Sequence, residues 1–325
     1  MTAPGTDACI AHVGLPKTGS TYLQIHYLGC LDLGALYSTT KPFRSPAALR
    51  CIWPVNWFWY EDLRRFDDVM PVDQRHRRFA AKVDACLPRW RRSVRRFAAT
   101  RRPSGLTLIT AEGLSGCVPE VNGLLISLLK QAGVKKLLLV CRQQADYAQS
   151  LWRQVLLAED WLARFVPFET LFGGEEEEGV VGLDWNAYIE PMDDACGAEN
   201  VLVLPCKCLK TEAPSFFRRA HRFFGFAETA LLPKAGVREN PSRLDAAYRG
   251  LTWDHRFPFK YVPWVRRRLH RLLGRFPQPL PRTVHTGHSM TLPREALDRL
   301  QRRFADANAQ LQQRLGIDLR AYGCR

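Results

Sequence analysis

A chain of 325 residues, 46% of them hydrophobic, carries enough apolar material for a large core and has the size of one elaborated domain. No stretch reaches about 18 uninterrupted apolar residues, and no basic segment precedes an apolar one at the N-terminus, so neither a membrane span nor a signal peptide is expected and the expected compartment is the cytoplasm. The formal net charge of +15 suits anionic partners and says nothing about fold.

The first informative stretch runs from Cys9 to Gln24. An apolar run over residues 8–14 predicts a strand, and the spacing of Tyr22, Leu23, Ile25, His26 and Tyr27 predicts a helix over 19–30. Between them lies a turn rich in Gly, Pro, Lys and Thr. A helix start leaves backbone N–H groups without partners, Gly14 and Gly19 let an anion approach the backbone, and Lys17, Thr18, Ser20 and Thr21 add donors. This combination suits a dianion.

The phosphate loop of nucleotide triphosphatases places its Lys directly after the second Gly, whereas Lys17 stands two residues before Gly19. In this order Pro16-Lys17-Thr18-Gly19-Ser20-Thr21 resembles the 5'-phosphosulfate loop of sulfotransferases that use 3'-phosphoadenosine 5'-phosphosulfate (PAPS). The resemblance implies that Pro16 to Thr21 hold the phosphosulfate and that Tyr22 stacks on adenine.

From Lys41 to Met70 the chain is rich in Trp, Phe, Tyr and Pro, among them Trp53, Trp57 and Tyr60, as core packing or as the lining of a site mouth. Between Arg75 and Arg102 there are eleven Lys or Arg and one acid, Asp84, with Phe79, Val83, Leu87, Trp90, Val94 and Phe97 at three- and four-residue steps. That predicts a basic amphipathic helical segment, interrupted at Pro88. A solvated cationic face over a packed stripe is the favoured reading, ahead of a polyanion site.

Residues 105–111 predict a buried strand with Glu112 at its carboxyl end, where ligands gather in open parallel sheets. A helix over 119–132 leads to a second buried strand at 136–141. The alternation predicts an α/β fold of three layers: a parallel sheet with helices on both faces, the P-loop-like sulfotransferase architecture that the resemblance also implies. A single domain is expected over 1–325, with insertions at 41–104 and 158–183 and a helical part at 243–325.

Arg142 follows that strand, and Ser150 comes eight residues later on the next helix. An Arg fork at a strand end and a Ser two helical turns on can converge on one phosphate. In the sulfotransferase family such a pair holds the 3'-phosphate of PAPS, and Arg142 and Ser150 resemble it. Further helices are predicted at 185–196 and 213–224, a strand at 200–205, and a final helix over 293–315 in which Asn308 resembles a residue of the family's last helix. Glu175 to Glu178 read as a solvated loop that could shape acceptor entry. Residues 263–276 suit a surface helix over a core, and also a helix lying on a membrane.

Two departures stand out. Lys207 occupies a position where the family carries a carboxylate, and the Arg-Lys-Gly tail motif of animal cytosolic members is absent, although Val237 to Ser242 resembles the family's Asn-x-Ser segment. The ten cysteines lack zinc spacing and read as buried thiols, with Cys206 and Cys208 expected on one face of a strand end.

What these residues imply together is sulfuryl transfer from PAPS to a hydroxyl or amine of a small molecule, lipid or glycan, without a metal and without a nucleic-acid partner. Lys17 would stabilise the charge that builds on the bridging oxygen, and Glu112 or His12 would take the acceptor's proton. Competing readings are a polyanion-binding protein and a P-loop-like kinase, which would need a metal-holding Asp after a strand.

Overall fold

The computed structural model describes residues 9–15, 18–28, 31, 35–38, 72–100, 106–111, 119–158, 172, 182–226 and 292–322. Pro16, Lys17 and Glu112 lie outside these, as do the aromatic stretch at 41–70, the acidic run at 175–178, the Asn-x-Ser-like segment and the amphipathic stretch at 263–276.

The expected architecture is the one found. Strands β1 (Cys9–Val13), β2 (Ala35–Ser38), β3 (Thr107–Ala111), β4 (Lys136–Cys141) and β5 (Val201–Pro205) form one parallel sheet in the order β2-β3-β1-β4-β5. Every pairing is parallel, with His12 opposite Thr110 on one side of β1 and opposite Leu138 on the other. The reason is visible in β1 and β4, whose residues, His12 and the half-buried Lys136 apart, are apolar on both sides of the pleat and buried.

Alternation along β1 divides the core in two. Cys9, Ala11 and Val13 face one layer, with Val83, Trp90, Leu125, Leu129, Tyr147, Trp152, Trp185 and Tyr188. Ile10 faces the other, with Tyr22, Leu23, Tyr27, Phe216, Phe217 and Phe224. The first layer is built from α2 (Val72–Thr100), α3 (Pro119–Gln131), α4 (Gln144–Ala158) and α5 (Trp185–Cys196). On the second face lie α1 (Ser20–Tyr22), a π-helical turn over Leu23–Tyr27, and α7 (Ala213–Phe224), which follows the short α6 (Cys208–Thr211). Each large side chain taken from water on either face contributes about 1.5–3 kcal/mol.

Three local expectations need correction. The basic segment is one continuous helix through Pro88, not two pieces. Pro88 and Asp84 are both exposed, so the carbonyl that loses its i+4 donor can be solvated by water, while Val83, Trp90, Val94 and Phe97 keep the buried stripe on one side. The final helix is instead broken at Phe304 into α8 (Arg294–Arg303) and α9 (Ala305–Leu315). Phe304 is buried with a non-helical φ of -100°, so its ring is packed at the expense of one helical turn. Cys206 and Cys208 do not alternate along a strand, because β5 ends at Pro205 and Cys208 opens α6. Both are buried free thiols, and no metal-holding cluster occurs among the described residues. No helix among the described residues is long and apolar enough to cross a membrane.

Candidate functional site

The loop between β1 and α1 is shaped by its two glycines. Gly19 has φ 86°, a left-handed conformation that L side chains rarely adopt, and it precedes α1 with no side-chain cap on that helix. A Cβ at Gly14 would lie 2.6 Å from Ser20 Oγ and 3.2 Å from His12 Nε2, so the loop closes only around a residue without a side chain. Thr18 and Ser20 are buried, and their hydroxyls donate to the Leu15 carbonyl at 2.7 and 3.2 Å. The loop is thus held by its own hydroxyls. The π-helical turn that follows is a form often found at functional sites. Tyr22 is 9% exposed and packs in the second core layer, where burial raises its hydroxyl pKa. The side chain of Thr21 lies outside the described residues.

Beneath the loop, His12 is fully buried on the α1 face. Its Nδ1 is 2.7 Å from Thr110 Oγ1, which also accepts a hydrogen bond from Gln24 Nε2 at 3.0 Å. His12 Nε2 has no hydrogen-bond partner among the described residues. Burial disfavours the imidazolium and lowers the His12 pKa to about 4. The ring is therefore neutral at ordinary pH.

The folded protein takes up the His12 proton less readily than the unfolded chain, whose value is 6.5, so the ring costs nothing above that pH and destabilises the fold as pH falls towards 4. Across that window the loss amounts to about 3 kcal/mol. Urea midpoints measured from pH 7 down to pH 4 are expected to fall steeply in the wild type and less in His12→Asn. Equal slopes would contradict a buried neutral ring.

On the other side of β1, the backbone carbonyl of Arg142 accepts from Trp185 Nε1 at 2.8 Å, which fixes the root of the loop leaving β4. Gln143 Oε1 accepts from the Asp146 amide at 2.6 Å and so caps α4 with its side chain. Gln144 and Asn308 form a reciprocal amide pair, at 2.8 and 3.2 Å, that ties α4 to α9. Asn308 thereby supports the loop that carries Arg142. Ser150 is half-buried on α4, two turns beyond Arg142.

The ends of β4 and β5 enclose a cavity of about 170 Å³ lined by Arg142, Gln143, Asp146, Lys207, Lys210 and Tyr322 among others. Three cations and one carboxylate make its rim basic. Lys207, where a carboxylate was expected, stands exposed at the start of α6 on that rim.

Since β3, β1 and β4 are consecutive in a parallel sheet, Glu112, the glycine loop and Arg142 follow three neighbouring carboxyl ends at one edge. Strands in a sheet lie roughly 4.8 Å apart, so the three roots fall within about 10 Å. The described strand ends that precede these positions are neighbours in the sheet, while Pro16, Lys17 and Glu112 themselves lie outside the described residues. Sequence reasoning missed Gln24 and Thr110, the partners of His12, and Gln144, the partner of Asn308. Polar residues at positions of an otherwise apolar face were the available signal for the first two.

No family model matches the chain, and no curated protein matches it in sequence. Among solved structures it is similar to a sulfotransferase from Alicyclobacillus acidocaldarius, with 17% identity and a TM-score of 0.39 over 85% of this chain and 98% of that one. It is also similar to mouse sulfotransferase SULT7A1 complexed with PAP, with 13% identity and a TM-score of 0.35 over 68% of this chain and 59% of that one. Likenesses of this size carry nothing about chemistry.

Proposed function

We propose that the protein is a sulfotransferase that moves the sulfuryl group of PAPS to a hydroxyl or amine. The observation that supports this reading is the order β3-β1-β4, because the chain continues from the carboxyl ends of these three neighbouring strands into Glu112, the glycine loop and Arg142, at the edge where parallel sheets bind ligands. The loop suits the donor's 5'-phosphosulfate, because Gly14 and Gly19 bring its backbone close and no side chain caps α1. Arg142 with Ser150 takes the 3'-phosphate. The charges of Lys17 and Arg142 supply the neutralisation that a metal provides in nucleotide triphosphatases.

Roles then follow from chemistry. Lys17 stabilises negative charge on the oxygen that leaves sulfur, and the acceptor's proton goes to Glu112. His12 is buried and becomes an imidazolium only below about pH 4, which makes it a weak proton acceptor and favours Glu112 as the base.

Calorimetric titration with adenosine 3',5'-bisphosphate, the product left after transfer, tests the assignment of the two phosphates. Loss of a charge-assisted contact is worth roughly 1.5–3 kcal/mol, so Arg142→Ala is expected to weaken the bisphosphate about ten- to a hundredfold. Adenosine 5'-phosphate, which lacks the 3' group, is expected to lose much less. Equal losses for both ligands, or none, would remove Arg142 from the 3' site.

A further inference from the structure

The partners of His12 define a direction. Gln24 Nε2 can only donate, and it donates to Thr110 Oγ1. The single hydroxyl proton of Thr110 is then available to His12 Nδ1, 2.7 Å away. A neutral imidazole that accepts at Nδ1 carries its proton on Nε2. That Nε2 is buried without a partner among the described residues, and it faces the place where Gly14 has no side chain. Across the same point stands Ser20 Oγ, since a Cβ there would be 2.6 Å from it and 3.2 Å from His12 Nε2.

Ser20 is placed to respond. Among the described residues its hydroxyl makes only long contacts, 3.2 Å to the Leu15 carbonyl and 3.3 Å to Thr18 Oγ1. The Leu15 carbonyl also accepts from Thr18 at 2.7 Å, so it keeps a donor if Ser20 turns away.

We propose that His12 is a positioning residue that passes one-way hydrogen-bond donation from Gln24 through Thr110 to Ser20, turning the Ser20 hydroxyl toward an anion held in the loop. The Gln24 amide donates to Thr110 and the Thr110 hydroxyl to His12 Nδ1, while His12 Nε2–H, unpartnered among the described residues as the structure stands, donates to Ser20 Oγ once the hydroxyl turns from the Leu15 carbonyl toward the anion. The proton of Ser20 is left for an oxygen of the anion. Chains of this kind polarise each member in the same sense, and a buried setting strengthens them. Gly14 is required because any side chain there would push His12 and Ser20 apart. The identity of the anion as the donor's phosphosulfate rests on the function proposed above, whereas the direction of the relay does not. The opposite tautomer, with the proton on Nδ1, would draw the Ser20 proton towards His12 and away from the anion.

The test uses the full chain labelled with nitrogen-15. Long-range proton–nitrogen spectra at pH 7, with the His12 signals assigned by their loss in His12→Gln, are expected to show Nε2 protonated and Nδ1 bare. Saturation with adenosine 3',5'-bisphosphate is expected to move the Nε2 signal. Thr110→Val, which keeps the shape but removes the hydroxyl, is expected to mix the tautomers and weaken the bisphosphate roughly five- to tenfold. Thr110→Ser is expected to restore both. A protonated Nδ1 in the wild type overturns the relay, and so does an Nε2 signal that saturating bisphosphate leaves in place. If the wild type binds no bisphosphate the proposed function fails, and inorganic pyrophosphate takes its place as the probe. A moved Nε2 signal then keeps the relay, and an unmoved one overturns it.

Discussion

Glu112→Gln is expected to lower turnover by about 10²–10⁴ while adenosine 3',5'-bisphosphate binds almost as before. Glutamine keeps the size and shape of the side chain but cannot accept the acceptor's proton. In sequence the residue follows β3, which pairs with β1, and it is not part of the dianion loop itself. Chemistry and donor binding should therefore separate cleanly at this position. Turnover is read as labelled sulfate transferred from PAPS, and affinity by calorimetry on the same preparation. Near-normal turnover in a folded Glu112→Gln protein would place the base elsewhere.

Lys17→Ala carries a different signature. An ammonium aimed at the oxygen that leaves sulfur does its main work as charge accumulates there, and removing one such donor from a preorganised site costs about 10²–10³ in turnover. In the proposed site Lys17 also meets the phosphosulfate before reaction, so donor affinity is expected to fall as well. Glu112→Gln thus loses turnover alone, whereas Lys17→Ala loses turnover and donor affinity together. Because fixed cations neutralise the donor, EDTA is expected to leave wild-type transfer intact. A strict requirement for a divalent ion would favour phosphoryl transfer from a nucleotide triphosphate.

Much of the fold was legible because its strands carry short, largely apolar runs. β4 at Lys136–Cys141 and the helices Trp185–Cys196 and Ala213–Phe224 have the boundaries that periodicity predicts. β2 was not foreseen, since Ala35–Ser38 is an edge strand of four residues, too short to display a period. Pro88 misled because a local rule about proline was outweighed by a stripe of buried side chains on both sides of it. The break at Phe304 is set by tertiary packing, which no local pattern announces.

The polar support of the site was the least legible part. Thr110 reads as one more strand residue and Gln24 as one more helix residue, and only the parallel register of β1 with β3 brings His12 and Thr110 opposite each other. The Gln144 to Asn308 pair spans 164 residues of chain, so its meaning appears only when α9 is seen beside α4. Long-range polar pairs of this kind follow from topology, and topology follows from burial on both faces of the sheet.

The central claim is that this chain moves a sulfuryl group from PAPS. Its most direct test incubates the purified protein with PAPS labelled in sulfur and a pooled set of hydroxyl- and amine-bearing small molecules, lipids and glycans, and follows label and nucleotide together. The account predicts a labelled acceptor appearing in one-to-one step with adenosine 3',5'-bisphosphate, in the presence of EDTA and not with ATP as donor. A protein that binds neither PAPS nor the bisphosphate under these conditions, or that transfers only phosphate from ATP, would contradict it.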